Sequence, residues 1–94
     1  MNRKLFTTLI IEDEGVRLDY YLLTNRVVIE NEEHISYGVA IGQSPLNAFS
    51  RCPYLYTSLE DITPMRHTML DFLRKLADGL VDPSVLEDIV LDNL

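Results

Sequence analysis

The sequence predicts a small α+β domain in which an antiparallel β-sheet is followed by two α-helices. Through the first two thirds of the chain, apolar and polar residues alternate with the two-residue period of half-buried strands. From residue 63 onwards the apolar residues recur every three to four positions, which is the period of an amphipathic helix. Each helical segment opens on a capping residue followed by proline. We expect about four to five strands in residues 5–59, and two α-helices, at about 64–78 and 83–92, packed on one face of the sheet.

The length and composition of the chain set its class. Its 94 residues form a single domain, 1–94, because a chain of this length has no room for a second core. Hydrophobic residues make up 47% and charged residues 24%, which is typical of a globular protein. Fifteen acidic and eight basic residues give a net charge of −7. Nucleic-acid binding needs a positive stripe on the surface, so we expect no direct nucleic-acid partner.

Cysteine usage and hydropathy indicate the compartment. Cys52 is the only cysteine, so no internal disulfide can form, and this fits a reducing cytoplasm. The apolar run near the N-terminus is interrupted by Thr7 and Thr8 and lacks a small-residue cleavage site, so we interpret it as a strand. No apolar stretch approaches the ~18 residues that span a bilayer. We therefore expect a cytoplasmic protein that does not bind membranes.

Five strand-like runs are separated by polar or turn-forming residues. A hairpin is expected to close at Asn31–Glu33, and Pro53 places the last run at an edge of the sheet because proline cannot donate to a central ladder. The small residues that share a face with Gly38 predict that another backbone or a bulky ring approaches there. The five runs are Leu5–Ile11, Val16–Thr24, Val27–Ile29, His34–Gln43 and Tyr54–Leu59.

The first helix has a start signal, an apolar stripe and a stop signal. Thr63 is the expected N-cap, with Pro64 at the first helical position. Gly79 is expected to end the helix in the left-handed conformation. The stripe that docks on the sheet consists of Met69, Phe72, Leu73, Leu76 and Leu80.

The second helix repeats the start signal at Asp82 and Pro83. Its acidic residues lie towards the C-terminus, where the helix dipole favours cations, so they are a candidate surface for a basic partner. The apolar side comprises Val85, Leu86, Ile89, Val90 and Leu94, and the acidic side comprises Glu87, Asp88 and Asp92.

No arrangement of residues predicts catalysis. Cys52 has no local signature with a histidine, so a loop thiol is favoured over a nucleophile. His34 lies among glutamates but matches no metal-binding spacing, and His67 is expected to be an exposed helix residue. The Glu12–Glu14 triplet lies in a turn, which lacks the desolvated environment that acid–base chemistry needs. We expect a protein that is not an enzyme, with no catalytic, cofactor-binding or metal-binding residue.

All five tyrosines fall on predicted strands. Tyr20 and Tyr37 share their phase with apolar neighbours and are assigned to the core. Tyr21, Tyr54 and Tyr56 are the surface candidates, since tyrosine at an interface offers an apolar body and a polar tip. Together with the acidic side of the second helix, these three tyrosines form the candidate interaction surface.

Three segments carry a resemblance to a known family. Leu18–Leu23, Ser36–Val39 and Leu86–Val90 resemble, in this order and spacing, a family of small uncharacterised proteins from anaerobic Gram-positive bacteria. The resemblance covers about two thirds of the chain, from Arg17 to the C-terminus. The family is a domain of unknown function. The resemblance implies a bacterial cytoplasmic protein and supplies no functional residue.

The leading hypothesis is a non-enzymatic protein-interaction or regulatory module. An edge strand at Tyr54–Leu59 invites pairing with a protein partner or with a second copy in a homodimer. One alternative is a small-ligand or metal-binding domain that uses the irregular segment Ser44–Pro53. The other is an acidic decoy of a nucleic-acid-binding protein, which the charge of −7 permits.

Overall fold

The structure, a computed structural model, describes residues 1–47 and 55–93. The described residues form one four-stranded antiparallel sheet followed by two α-helices, which confirms the predicted α+β fold. The strands lie in the order β1-β2-β3-β4, so each pairs with its sequence neighbours. The elements are β1 (Asn2–Ile11), β2 (Val16–Ile29), β3 (Glu32–Pro45), β4 (Leu55–Thr63), α1 (Arg66–Asp78) and α2 (Leu86–Asn93), the last preceded by a 3₁₀ turn (Pro83–Val85).

The central hairpin is longer than the sequence predicts. β2 continues without a break at Asn25, because this residue pairs with Ser36 and the ladder runs on to the turn. The hairpin closes at Glu30 and Asn31 rather than at residues 31–33. Both turn residues have positive φ, 52° and 66°, as expected for the two-residue turn whose twist matches that of its strands.

The edge position of β4 is confirmed over its described residues, since the sheet order places β4 last. Pro53 and Tyr54 lie outside the described part of the chain. The predicted close approach at Gly38 is also confirmed. A Cβ atom at this position would overlap the Leu59 carbonyl oxygen and lie 2.9 Å from Glu60 Cα. The backbone of β4 therefore passes directly against Gly38, where the register of the two strands shifts.

One face of the sheet is covered by the helices. Of the predicted stripe on α1, four residues are buried, but Leu80 is 54% exposed because the helix has already ended. Leu86 attaches the start of α2 to the same core. The core joins Leu18, Tyr20, Leu22, Val39 and Ile41 of the sheet to Met69, Phe72, Leu73, Leu76, Ala77 and Leu86 of the helices.

The start of α1 differs from the prediction by two residues. Thr63 is the last residue of β4, because the strand continues up to the helix, and Met65 is the N-cap. The Thr63 hydroxyl accepts a hydrogen bond from the Met65 N–H at 3.2 Å, so it stabilises the corner and not the helix terminus. The predicted cap at Asp82 is confirmed, since its carboxylate accepts from the Ser84 N–H at 2.9 Å, but it caps the 3₁₀ turn Pro83–Val85. The α-helix itself starts at Leu86, three residues later than predicted.

The end of α1 also corrects the prediction. Gly79 has a φ of −87°, and the left-handed residue is Leu80, with a φ of 53°. The Val81 N–H donates to the Leu76 carbonyl at 3.0 Å and the Leu80 N–H to the Ala77 carbonyl at 3.1 Å. These two bonds define a Schellman motif whose left-handed position is normally occupied by glycine. No helix in the described residues is long and apolar enough to cross a membrane.

The variant Leu80→Gly is expected to be more stable than Leu80→Ala. Both variants remove the same half-exposed side chain, but alanine keeps the Cβ atom, which costs roughly 1–2 kcal/mol in the left-handed conformation. We expect a difference of about 1 kcal/mol, or about 4–8 °C in Tm, by thermal unfolding. Leu80→Ala is the matched control, since it removes the side chain but keeps the Cβ. Equal stability of the two variants would contradict this explanation.

Candidate functional site

The sheet has a second face, on which no helix of the described residues packs. Both helices lie on the side of Tyr20 and Ile41, so alternate positions of the strands point away from them. We call these outward positions the open face. They are Arg3, Leu5, Thr8 and Ile10 of β1, Arg17, Asp19, Tyr21, Leu23 and Asn25 of β2, Ser36, Gly38, Ala40, Gly42 and Ser44 of β3, and Tyr56, Ser58 and Asp61 of β4.

The centre of the open face holds two tyrosines and an arginine, which we call the Tyr–Arg cluster (Arg3, Tyr21 and Tyr56). The two rings lie 6.5 Å apart at 59°, although β3 separates their strands. The Arg3 guanidinium lies 4.4 Å from the Tyr21 ring centre and 5.7 Å from that of Tyr56. Its Nη1 also donates to the Tyr56 hydroxyl at 3.4 Å. Three strands thus contribute to one cation–π arrangement.

Small residues of β3 make this arrangement possible. Ala40 pairs with Tyr21, and Gly42 pairs with Tyr56, so no large side chain stands between the two rings. The hydrogen bond to Tyr56 raises the pKa of Arg3. Partial burial, and then the Asp19 carboxylate, raise the pKa of Tyr21. The cluster therefore places an arginine cation against the faces of two tyrosine rings.

One end of the open face is organised by Asp61. Its carboxylate accepts a hydrogen bond from the Ser36 hydroxyl. The Asn25 amide nitrogen also donates to it and lies 3.1 Å from one carboxylate oxygen and 3.4 Å from the other. These bonds, from Ser36 first and Asn25 second, lower the pKa of Asp61. Asp61 has a φ of 55°, in the bulge of β4 opposite Gly38. Three strands are again linked by side chains.

The other end of the open face is a polar network. Arg17 Nε lies 3.3 Å from an Asp19 carboxylate oxygen, and the Thr8 hydroxyl donates to Asp19 at 2.7 Å. Arg17 also donates from Nη2 to the hydroxyl of the buried Ser44 at 3.2 Å. The charged side chains of the open face are therefore held in place by neighbours on the same face.

The structure brings together two of the six predicted interaction residues. Tyr21 and Tyr56 meet in the Tyr–Arg cluster, whereas Tyr54 lies outside the described residues. The acidic residues of α2 are exposed, but they lie on the helix side of the sheet and therefore away from the tyrosines. These three acidic residues are Glu87, Asp88 and Asp92.

Sequence reasoning missed Arg3 and Asp61. Arg3 lies outside the first predicted strand, which begins at Leu5, and Asp61 lies between the last predicted strand and the first predicted helix. Both belong to the open face because β1 starts earlier and β4 ends later than predicted. The alternation of Arg3 with Leu5 is the one signal that places Arg3 on the same side as the tyrosine of the next strand.

The other residues considered for chemistry are not part of these clusters or lie outside the described residues. His34 is exposed and lies 3.9 Å from Glu32, its only ion-pair contact in the described part of the chain. His67 lines a groove of about 420 Å³ between α1 and α2. Among residues 1–47 and 55–93, no group of three or more His, Cys, Asp or Glu side chains is placed to hold a metal ion. Cys52 lies outside these ranges.

Comparison of the sequence with known protein families identifies the family to which the chain belongs. A model described as a family of unknown function, DUF6514, matches residues 2–94. The chain belongs to this family. The match extends over β1, beyond the segment from Arg17 onwards that carried the sequence resemblance, so Arg3 lies within the DUF6514 region. No curated protein and no solved structure matches the chain.

Proposed function

We propose that the protein is a small, non-enzymatic interaction module that binds another protein chain through its open face. The observation that carries this proposal is the Tyr–Arg cluster, which lies on a sheet face against which no helix of the described residues packs. Tyrosine and arginine are the residues most enriched at the energetic centres of interfaces. Tyr56 remains 40% exposed in the cluster, so a partner has aromatic surface to bury.

The order already present in the cluster favours binding. Arg3 donates to Tyr56 and lies on Tyr21, so its long side chain is held before any partner arrives. A side chain that is immobilised on binding loses about 0.5–1.5 kcal/mol of conformational free energy. This loss is smaller when the side chain is already ordered. A partner therefore meets a preformed aromatic and cationic centre.

A small-ligand-binding domain is the second candidate, because one groove favours it. The groove between α1 and α2, at about 420 Å³, has the size of a small-molecule site and is lined by Phe72, Val81 and Ile89. It differs from the site proposed at Ser44–Pro53, most of which lies outside the described residues. A thermal-shift screen against metals and metabolites tests this candidate, because a native-state ligand raises Tm. Absence of any shift would argue against it.

The setting of the function is also a proposal. The single Cys52 and the resemblance to proteins of anaerobic Gram-positive bacteria support a bacterial cytoplasm. The net charge of −7 supports a third candidate role, an acidic decoy of a nucleic-acid-binding protein. That role would use the acidic side of α2, away from the open face, and salt-sensitive capture of a basic protein would be its signature.

Site-specific photo-crosslinking in native cells tests the proposed surface. A benzophenone amino acid at Tyr56 is expected to give a discrete protein adduct, because this side chain lies at the centre of the proposed interface. The matched control is the same amino acid at Leu91, which is 73% exposed on α2. Adding Arg3→Ala to the Tyr56 probe is expected to reduce the adduct at least tenfold, as at an interface hot spot. Adducts from Leu91 alone would contradict the proposal.

A further inference from the structure

The central hairpin extends beyond the rest of the sheet. β1 pairs with β2 only as far as Thr24, and β4 pairs with β3 only from Tyr37 onwards. Residues 25–36 therefore form a two-stranded ribbon, which we call the hairpin arm, and no further strand of the described residues pairs with it. Each strand of the arm has five residues, so the arm projects by roughly 16 Å at about 3.3 Å per residue. A two-stranded ribbon is only marginally stable in water, so a third strand would stabilise the arm.

Four β-branched side chains of the arm are exposed. Alternation places Val27 and Ile29 on the side of the open face, and Val28 and Ile35 on the side of the helices. Their exposed fractions are 40%, 55%, 71% and 36%, in the same order. Aliphatic side chains of this kind are stabilised in a sheet by neighbours on an adjacent strand. The arm therefore offers an added strand apolar neighbours on both of its faces.

The two edges of the arm differ in charge. On β3 the arm carries Glu32, Glu33 and His34, whereas on β2 it ends in the uncharged run Val27–Ile29. Charged residues protect an edge strand from pairing with another chain, because a strand laid beside them must cover their charges. The edge of β2 has no such protection after Arg26. An added strand therefore pairs with β2 more readily than with β3.

The backbone of β2 has free ladder positions along this edge. In a two-residue hairpin the two residues that flank the turn, here Ile29 and Glu32, are a hydrogen-bonded pair, and bonded and non-bonded pairs then alternate. The N–H and C=O groups of Arg26 and Val28 therefore point away from β3. They face the side on which β1 lies beside β2 up to Thr24. A strand placed there can exchange backbone hydrogen bonds with both residues.

We infer that the β2 edge of the arm is a strand-addition site for an extended segment of a protein partner. The segment pairs with Arg26 and Val28 through its backbone and lies end to end with β1. It runs antiparallel to β2, as β1 and β3 both do. Its own β-branched side chains pack beside Val27 and Ile29. The site does not use the Tyr–Arg cluster, so the inference goes beyond the proposed function.

The charge of the arm indicates the chemistry of the segment. Arg26 Nε lies 2.9 Å from a Glu33 carboxylate oxygen, so these two charges offset each other. Glu30 in the turn and Glu32 beside it leave the tip of the arm negative. His34 lies 3.9 Å from Glu32 and adds positive charge only when it is protonated. A lysine or arginine at the tip end of the segment therefore matches the arm.

The direction of the segment follows from the same charges. The positive side chains of β1, Arg3 and Lys4, lie at the base of this edge, because β1 begins beside Thr24. The acidic residues Glu60 and Asp61 lie on β4, at the opposite edge of the sheet. In antiparallel pairing the N-terminal end of the segment reaches the tip, so its basic residues are expected there. A second copy of this chain would bring its own glutamates to the tip and fits the site less well.

The other two edges of the sheet are less suited to strand addition. The edge of β4 is interrupted by the bulge at Asp61. The edge of β1 has a register shift between Leu5 and Thr7, and Arg74 and Asp78 of α1 line a hollow beside it. Bulges shorten the ladder that another strand can join, and charged neighbours protect it. The hairpin arm is therefore the favoured site.

Fluorescence anisotropy with a labelled peptide and the purified full chain tests the inference. The probe is acetyl-Lys-Lys-Val-Thr-Val-Thr with a fluorescent label on its C-terminal amide, and its lysines reach the tip when it runs antiparallel to β2. We expect saturable binding, and binding about tenfold weaker when two glutamates replace the lysines, because like charges then meet at the tip. The same peptide with every Val and Thr amide N-methylated keeps its side chains but cannot donate to β2, so we expect it not to bind.

Proline variants locate the site on the arm. Val28→Pro removes an N–H that points away from β3, so it blocks the β2 edge and keeps the hairpin ladder. We expect it to weaken peptide binding about tenfold, from the loss of a backbone hydrogen bond and the added ring. Ile35→Pro is the matched control, because it removes the corresponding N–H from the β3 edge, and it is expected to bind within about twofold of the parent. Circular dichroism checks that both variants are folded.

The outcomes decide the inference. No binding to the parent up to about 1 mM, the weak end of specific recognition, overturns it. Equal binding of the N-methylated peptide overturns backbone pairing, and this measurement needs no variant to fold. Equal weakening by the two proline variants, or none by Val28→Pro, overturns the β2 edge as the site. In each of these cases an adduct from the Tyr56 probe in cells leaves the proposed function standing.

Discussion

Gly38→Ala is expected to destabilise the protein by about 3 kcal/mol, the upper end of the usual cost of overpacking. The added methyl group would overlap the Leu59 carbonyl oxygen and lie 2.9 Å from Glu60 Cα. Both are backbone atoms, so no side-chain rotation can relieve the contact. Relief requires β4 to move away from β3, which breaks ladder hydrogen bonds next to the Asp61 bulge.

Urea unfolding of Gly38→Ala measures this cost, with Gly79→Ala as the matched control. Gly79 has a φ that alanine adopts readily, and its nearest contact for a Cβ is at 3.4 Å. We expect Gly79→Ala to stay within about 0.5 kcal/mol of the parent, since alanine also restricts the unfolded chain. Equal stability of the two alanine variants would contradict both the close contact of β4 with Gly38 and the bulge of β4 at Asp61.

Raising the pH above 10 is expected to reduce stability through Tyr20. This side chain is fully buried, and its hydroxyl donates to the Val81 carbonyl at 2.7 Å. Burial first, and the Asp82 carboxylate second, raise the pKa of Tyr20 to about 12 in the folded protein. An unfolded tyrosine has a pKa of about 10, so the folded state holds its proton more tightly. The stability that this provides is full below pH 10 and is lost as the pH rises to about 12.

The loss through Tyr20 is expected to be about 2–3 kcal/mol between pH 10 and pH 12, from the shift of about two units. Urea unfolding of the parent and of Tyr20→Phe at pH 7, 10 and 11.5 measures it. At pH 7 the variant is expected to be less stable by about 1–2 kcal/mol, since the Val81 carbonyl loses its donor. Above pH 10 the difference in unfolding free energy between the parent and Tyr20→Phe is expected to become smaller and then to change sign. A constant difference at all three pH values would contradict the role of Tyr20.

Much of the fold follows from periodicity, because the first two thirds of the chain repeat the strand pattern and the remainder repeats the helical pattern. Alternation gave the strands, and the Met69–Leu76 stripe gave the docking face of α1. The errors fall where two signals compete. Thr63 is both a good cap and a good strand residue, and pairing with Tyr37 keeps it in β4. Gly79 was assigned the left-handed position, but it is the C-cap with a φ of −87°, and the left-handed residue is Leu80, the next one along the chain.

The candidate site was less predictable than the fold. The phase of the strands separated Tyr21 from the core, but no local pattern joins it to Tyr56, which is thirty-five positions away. Their contact depends on the register of β2, β3 and β4 and on the small residues of β3 between them. The position of Arg3 over both rings depends in addition on β1. Such contacts between strands are set by the whole sheet, and single segments do not reveal them.

The most direct test of the open face as an interaction surface is a set of photo-crosslinking probes on both sides of the sheet in native cells. Probes at Leu5 and Ile10, which are 52% and 59% exposed on the open face, are expected to give the same protein adduct as the probe at Tyr56. A probe at Leu91 on α2 serves as the reference and is expected to give no such adduct. No adduct from Leu5 and Ile10, or the same adduct from Leu91 in their place, would contradict the assignment of the open face.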